Sequence, residues 1–223
     1  MKNKLIILFY LGFSSLLIGQ EASDIIKFKK ELQQELVDTA KVTLHIKIAD
    51  LYLKKKPDSS LVHLTKALEL AKKSAQQPKI AHVYNSLGHY YEKNDNFKDA
   101  IKNYNDAFLI YDRLNDKKKM AEIYNSLGLN YSGLYAEDRA IENYLKSLNL
   151  NKKISNNDGI ASNFTNIGNL YYEEANYDLA EKYFRDALLI YEELDNKYGI
   201  SSSYTNIANA LADNEKVEEG LDY

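Results

Sequence analysis

From about residue 23 onward, apolar positions along this chain recur at spacings of three and four, the period of helices that bury one stripe. Ile25, Phe28, Leu32 and Leu36 set the first stripe and predict a helix over roughly residues 23–38. Farther on, two kinds of stripe alternate. Ala81, Tyr84, Leu87, Gly88 and Tyr91 mark the inner face of one helix, and Ala100, Ile101, Tyr104, Ala107 and Ile110 that of the next. Between them lies Asn94-Asp95-Asn96, whose side chains can turn the chain and take up the free N–H groups that open the second helix. Asn115-Asp116, Asn156-Asn157-Asp158-Gly159, Asn176 and Asp195-Asn196 punctuate the chain in the same way. Its two prolines, Pro57 and Pro78, fall where helices should break.

The pattern repeats itself. Tyr84-Asn85-Ser86-Leu87-Gly88 returns as Tyr124-Asn125-Ser126-Leu127-Gly128, as Phe164-Thr165-Asn166-Ile167-Gly168 and as Tyr204-Thr205-Asn206-Ile207-Ala208, each 40 residues after the last. Such a period predicts a stacked solenoid whose units bury their apolar faces against neighbours. Gly88, Gly128, Gly168 and Ala208 share one equivalent position, and Ala100, Ala140, Ala180 and Gly220 another, which predicts places where two helix backbones approach closely. The periodic aromatics Tyr84, Tyr124, Phe164, Tyr204, Tyr91, Tyr131, Tyr171, Tyr104, Tyr144 and Phe184 would fill the space around those crossings. Each buried ring contributes on the order of 1.5–3 kcal/mol. Packing therefore accounts for much of the count of 19 tyrosines.

At this point the chain resembles the tetratricopeptide repeat, in the longer-helix form similar to that of kinesin light chains and of bacterial signalling proteins. The residues that carry the likeness are the aromatic, Leu-Gly, Tyr, Ala, Tyr, Ala series, as in Tyr84, Leu87-Gly88, Tyr91, Ala100, Tyr104 and Ala107. It covers residues 41–223: a degenerate unit at 41–79, units at 80–119, 120–158 and 159–198, and one cut short at 199–223, with a capping helix over 20–40. In the degenerate unit Ala49, Tyr52, Ser60, Leu64 and Ala67 hold the signature places. The resemblance implies an all-α, right-handed superhelical solenoid of antiparallel helix pairs, its concave groove lined by the first helix of each pair.

Once the packed positions are set aside, the first helices leave a polar strip. It comprises His82, Asn85, Ser86, His89, Glu122, Asn125, Ser126, Ser162, Thr165, Asn166, Asn169, Ser202, Asn206 and Asn209. Asn85, Ser86, His89, Asn125, Ser126, Asn166, Asn169, Asn206 and Asn209 form the candidate peptide-binding groove, because amides both donate to and accept from an extended backbone. In similar repeats an asparagine just before the Leu/Ile position does this, and Asn166 and Asn206 match that place, while Ser86 and Ser126 depart from it. Clamps for a carboxylate tail, as in chaperone-binding members of the family, need Lys or Arg. Asn85, His89, Ser126, Ser162 and Asn166 stand there instead.

The amino terminus has a separate character. Lys2 and Lys4 precede an uncharged run from Leu5 to Gly19, followed by polar Gln20-Glu21-Ala22-Ser23-Asp24. This predicts an export signal over residues 1–19, cut after Gly19, with Leu17 an unusual residue for the cleavage site. The run is shorter than the roughly 20 apolar residues of a spanning helix. Export places the protein in the periplasm or outside the cell, free or membrane-tethered through an uncleaved signal or a missing C-terminal segment.

Composition removes whole classes of function. With 45% hydrophobic and 27% charged residues the chain is ordinary for a folded protein. A formal charge of −3, falling to −5 without residues 1–19, gives no basic footprint for nucleic acid. No cysteine is present, hence no disulfide and no thiolate site. His82 and His89 lie seven apart and could meet Glu122 or Glu92 at a metal only by chance, while His45 and His63 show no carboxylate pattern. Lys54-Lys55-Lys56 and Lys117-Lys118-Lys119 are expected between helices. No catalytic residue, metal or cofactor is expected, and the chain reads as a non-catalytic scaffold for a peptide or protein. By the repeat, Gly220 matches Ala100, so the last helix stops short and its uncapped end would favour self-association or a longer protein. The alternative is the exported sensor portion of a histidine kinase or helix-turn-helix regulator whose membrane and output domains are missing.

Overall fold

In the computed structural model, residues 21, 23–35 and 37–214 are described, and all regular structure among them is helical. The expected export signal over 1–19 and the end of the last unit, with Gly220, lie outside the described residues. The chain divides into two compact units, one up to Asn94 and one from Asp95. The first holds α1 (residues 23–34), α2 (Asp38–Tyr52), α3 (Pro57–Lys73) and α4 (Gln77–Lys93). The second holds α5 (Phe97–Arg113), α6 (Lys117–Ser132), α7 (Glu137–Lys153), α8 (Asn157–Glu173), α9 (Tyr177–Glu193) and α10 (Lys197–Asp213). Within each unit consecutive helices from α2 onward pack as antiparallel pairs, and α2 reaches α4 as α6 reaches α8. The fold is an all-α solenoid of paired antiparallel helices.

Helix starts at 57, 77, 97, 117, 137, 157, 177 and 197 are twenty residues apart, and the cause is one turn used again and again. After α5, Asn115 takes the left-handed conformation at φ 52°. Its N–H donates to Asp112 O at 2.9 Å and the Asp116 N–H donates to Tyr111 O at 3.0 Å, a bond pair that satisfies the last carbonyls of the helix. The Asp116 carboxylate then accepts from Lys119 N at 3.0 Å, so the residue that closes α5 also caps α6. Asn176 and Asn196 play both parts too, closing on Tyr171 and Tyr191 and accepting from Leu179 N and Gly199 N. Among the described residues, seven such left-handed residues occur at 20-residue steps, Ala75, Asp95, Asn115, Tyr135, Ser155, Ala175 and Asp195, and none is glycine. Pro57 and Pro78 sit in first turns, where no intrahelical N–H is lost.

Three expectations need correction. The first helix stops at 34 rather than 38: Val37 is extended (φ −89°, ψ 119°), its N–H is taken by Glu35 Oε1 at 2.8 Å, and Asp38 opens α2. Lys117-Lys118-Lys119 form the first turn of α6, not a connector. Cations there oppose the helix dipole. The Asp116 cap and a Lys119 Nζ–Glu122 pair at 2.5 Å offset this.

The third concerns Gly128 and Gly168, which make room for rings, not for backbones. A Cβ on Gly128 would lie 2.5 Å from Tyr144 Cε1, and one on Gly168 would lie 2.6 Å from Phe184 Cε1. Tyr144 and Phe184 are among the largest fully buried side chains. Around them lie two clusters of the second unit, Ala140, Ile167 and Leu170 about Tyr144, and Ala180, Leu188, Ile207 and Leu211 about Phe184. Tyr124 and Phe164 are only half-buried, and the aliphatic cations Lys146 and Lys152 lie over their rings at 5.6 and 5.7 Å.

Candidate functional site

The polar strip expected from the sequence divides between the two units. In the first, α4 carries Asn85 and Ser86 half-buried and His89 exposed, with His89 Nδ1 3.7 Å from Glu92 Oε1. In the second, α6 carries Asn125 and Ser126, α8 carries Asn166 and Asn169, and α10 carries Asn206 and Asn209. Asn125, Ser126, Asn166 and Asn206 are half-buried, while Asn169 and Asn209 are exposed. This mixture of anchoring and access suits a surface that holds its amides ready for a ligand.

Two candidates on neighbouring helices are brought into direct contact. Asn166 Nδ2 donates to Asn125 Oδ1 at 2.8 Å, so α6 and α8 meet at the strip through paired amides. The same Asn125 oxygen accepts from Asn163 Nδ2 at 3.1 Å, and Asn163, 1% exposed, leads inward. Behind it, Asn163 Oδ1 lies 2.9 Å from Asn151 Nδ2 and 3.1 Å from Ser147 Oγ. Ser147 Oγ donates to Ala121 O at 2.8 Å, and Asn156 Nδ2 donates to Asn151 Oδ1 at 2.8 Å. A Cβ on Gly159 would lie 2.5 Å from both Asn151 Cγ and Asn156 Nδ2, so this network also needs a bare backbone beside it.

Sequence reasoning missed Ser147, Asn151 and Asn163, yet a signal was present. One unit earlier the equivalent positions hold Ala107, Tyr111 and Ile123, and one unit later Ala187, Tyr191 and Ser203. Three apolar places turn polar together only at the α7–α8 junction. Buried amides are costly unless satisfied, and here each finds a partner. The contrast with Tyr111 is chemical as well: burial, with Asp116 and Glu122 nearby, pushes its hydroxyl up to about 12, so it stays a neutral packing group.

A second polar pair lies in the first unit, away from the strip. His45 Nδ1 and His63 Nδ1 are 2.9 Å apart, joining α2 to α3, and His45 is 6% exposed. One ring must donate and the other accept, so both cannot be protonated in this arrangement. Burial, then the charge on His63, then that on Lys66, lowers His45 to about 4. His63 is lowered by burial, then by Lys29 and Lys66. Among the described residues no group of three or more His, Asp or Glu could hold a metal ion, and no helix is long and apolar enough to cross a membrane.

Comparison with known proteins bears on the fold. A family profile described as tetratricopeptide repeat matches residues 38–113 and 79–153, and a second of the same description matches 162–194. Among curated proteins, none matches this chain in sequence. Among solved structures, BtubC from P. vanneervenii superposes with a TM-score of 0.77 at 20% identity, covering 92% of this chain and 85% of its own. A signal transduction ATPase with a tetratricopeptide repeat sensor, from Pyrococcus horikoshii, gives 0.76 at 17% identity, covering 86% of this chain and 31% of its own. A Rap protein complexed with competence and sporulation factor gives 0.72 at 16% identity, with 86% and 54% covered.

Proposed function

This chain belongs to the tetratricopeptide repeat family, and on that premise we propose that its second unit holds an extended peptide segment against the asparagines of α6, α8 and α10. Proteins of this family typically act as non-catalytic interaction modules, and the coarser function follows from membership. The finer reading rests on one observation: Asn125 and Asn166, from different helices, form a joined amide pair that is only half-buried. Such a pair offers donors and acceptors to a backbone without selecting its side chains. Asn206 and Asn209 extend the strip on α10, and Asn85, Ser86 and His89 supply the comparable residues of the first unit.

Peptides selected from a random library on the immobilised chain test this. Asn206→Ala should weaken their binding about five- to tenfold with melting unchanged, since a lost neutral hydrogen bond to a ligand is worth roughly 1 kcal/mol. Asn166→Ala should weaken binding further but lower stability slightly, because its amide also bonds Asn125. Binding unaffected by both substitutions would remove the groove reading.

A second reading keeps the same surface as the exported sensor portion of a signal-transducing protein. Its support is the Lys2/Lys4 start with its uncharged run and the likeness in fold to a protein described as carrying a tetratricopeptide repeat sensor. Expression with the native amino terminus should yield a product lacking residues 1–19 beyond the cytoplasmic membrane. An unprocessed cytoplasmic product would contradict export.

A further inference from the structure

We infer that the buried network of Ser147, Asn151 and Asn163 is a positioning device that fixes which way the groove amides face, so that Asn125 presents only N–H donors and Asn166 its carbonyl. The inference rests on the groove reading above and assigns a role to Ser147, which replaces the signature alanine seen at Ala107, and to Asn151 and Asn163, which lie outside the signature.

The direction of the amides is set at Ser147, whose hydroxyl faces two acceptors. Ser147 Oγ lies 2.8 Å from Ala121 O and 3.1 Å from Asn163 Oδ1 and shares its hydroxyl proton between these two acceptors, which keeps the oxygen of Asn163, not its NH2 group, turned toward it. Ser147 Oγ in turn accepts from the Asn151 NH2 group at 3.3 Å. The second Asn151 N–H meets Asn163 at 2.9 Å, and Asn163 answers with its oxygen. Its NH2 group is therefore the end that reaches Asn125, at 3.1 Å, and Asn125 answers with its own oxygen. Asn166 donates to that same oxygen at 2.8 Å. Asn156, Asn151, Asn163 and Asn125 thus run head to tail, each NH2 group giving to the next carbonyl, an arrangement in which each bond polarises the next.

Without Asn163 the Asn125–Asn166 pair could exchange roles, Asn125 donating and Asn166 accepting, at little cost. With it, that exchange would set two NH2 groups against each other. Asn163 is 1% exposed, Ser147 is fully buried and Asn151 is 4% exposed, so water cannot reverse the chain. The strip consequently offers a donor on α6 beside an acceptor on α8. An extended strand presents its own C=O and N–H from one residue to one side, which is the complementary pair. The ligand class is accordingly an extended peptide backbone, bound with a carbonyl on Asn125.

The test converts the network into the apolar set of the preceding unit, Ser147→Ala, Asn151→Tyr and Asn163→Ile together, so that Ala107, Tyr111 and Ile123 serve as the template for a well-packed junction. In the parent chain the Asn125 and Asn166 side-chain amides should be ordered, with 15N order parameters near those of rigid backbone, about 0.85. In the triple variant, still helical and cooperative, both should fall below about 0.6. A capped alanine hexapeptide, titrated into each full-length protein by NMR, should bind the variant about fivefold more weakly. Equal order parameters in the two proteins would overturn the inference. Should the hexapeptide leave the parent chain unbound, the groove reading fails by that result, while the order parameters still decide the positioning role. A Ser147→Ala single variant gives the same direction of change should the triple variant fail to fold.

Discussion

Gly168→Ala tests whether the small residues of the repeat serve rings or backbones. The added Cβ would lie 2.6 Å from Phe184 Cε1, 2.8 Å from Cδ1 and 3.2 Å from Cζ, whereas carbon atoms in contact sit about 3.5–4.0 Å apart. Phe184 is 2% exposed and packs among Ala180, Leu188, Ile207 and Leu211, so the ring has nowhere to retreat. Overpacking of this kind costs about 1–3 kcal/mol. Alanine returns about 1 kcal/mol of helix propensity. A net loss of up to about 2 kcal/mol is expected. Phe184→Leu alone should also destabilise, because it leaves space beside the glycine. In the double variant the new methyl group fills that space, so the combined cost should fall short of the sum by at least about 1 kcal/mol. Urea unfolding followed by far-UV circular dichroism measures each term, with equal m-values as the check on two-state behaviour. A stabilising Gly168→Ala, or strictly additive changes in the double variant, would refute the ring-against-glycine packing.

Two further outcomes follow from the turns and from the histidine pair. Ala175→Gly should raise stability by about 0.5–1 kcal/mol, because Ala175 holds φ 57°, where glycine avoids the Cβ penalty; a loss in the same urea assay would contradict the turn geometry. The folded state disfavours protonated His45, whose value is lowered to about 4 from 6.5, so the unfolded chain takes up the proton first. That contribution is complete above about pH 6.5 and is lost as pH falls from there to 4. Asp50, raised by burial and drawn down in part by His89, opposes this at the acid end. His45→Gln should therefore flatten the fall in urea midpoint between pH 6.5 and 4, and an unchanged slope would exclude the pair as its source.

The architecture was legible because packing repeats. Leu87, Leu127, Ile167 and Ile207 recur at one place, and all four are buried. The fixed helix starts were legible only in part: the Asn and Asp clusters marked the turns, but that one residue both closes a helix and caps the next depends on backbone geometry that side-chain identity does not spell out. The end of α1 at residue 34 was hidden because, in the sequence, Leu36 continues the apolar spacing past it. The glycines were assigned to the right positions with the wrong neighbour, since a sequence shows where a side chain is missing and not what enters the space. Ser147, Asn151 and Asn163 went unread for a different reason. Each is an ordinary polar residue alone, and only a comparison across units shows them replacing Ala, Tyr and Ile at one junction. His45 and His63 are 18 residues apart on separate helices, and nothing in their local sequence announces the contact.

The most direct test of the account is a solution structure of the chain with a library-selected peptide, in which intermolecular contacts to the asparagine side chains are read. The account predicts an extended peptide crossing α6, α8 and α10, with a backbone carbonyl on Asn125 Nδ2 and further contacts at Asn166 and Asn206. A peptide lying against α7 and α9, or one held by its side chains with the asparagine amides untouched, would contradict it.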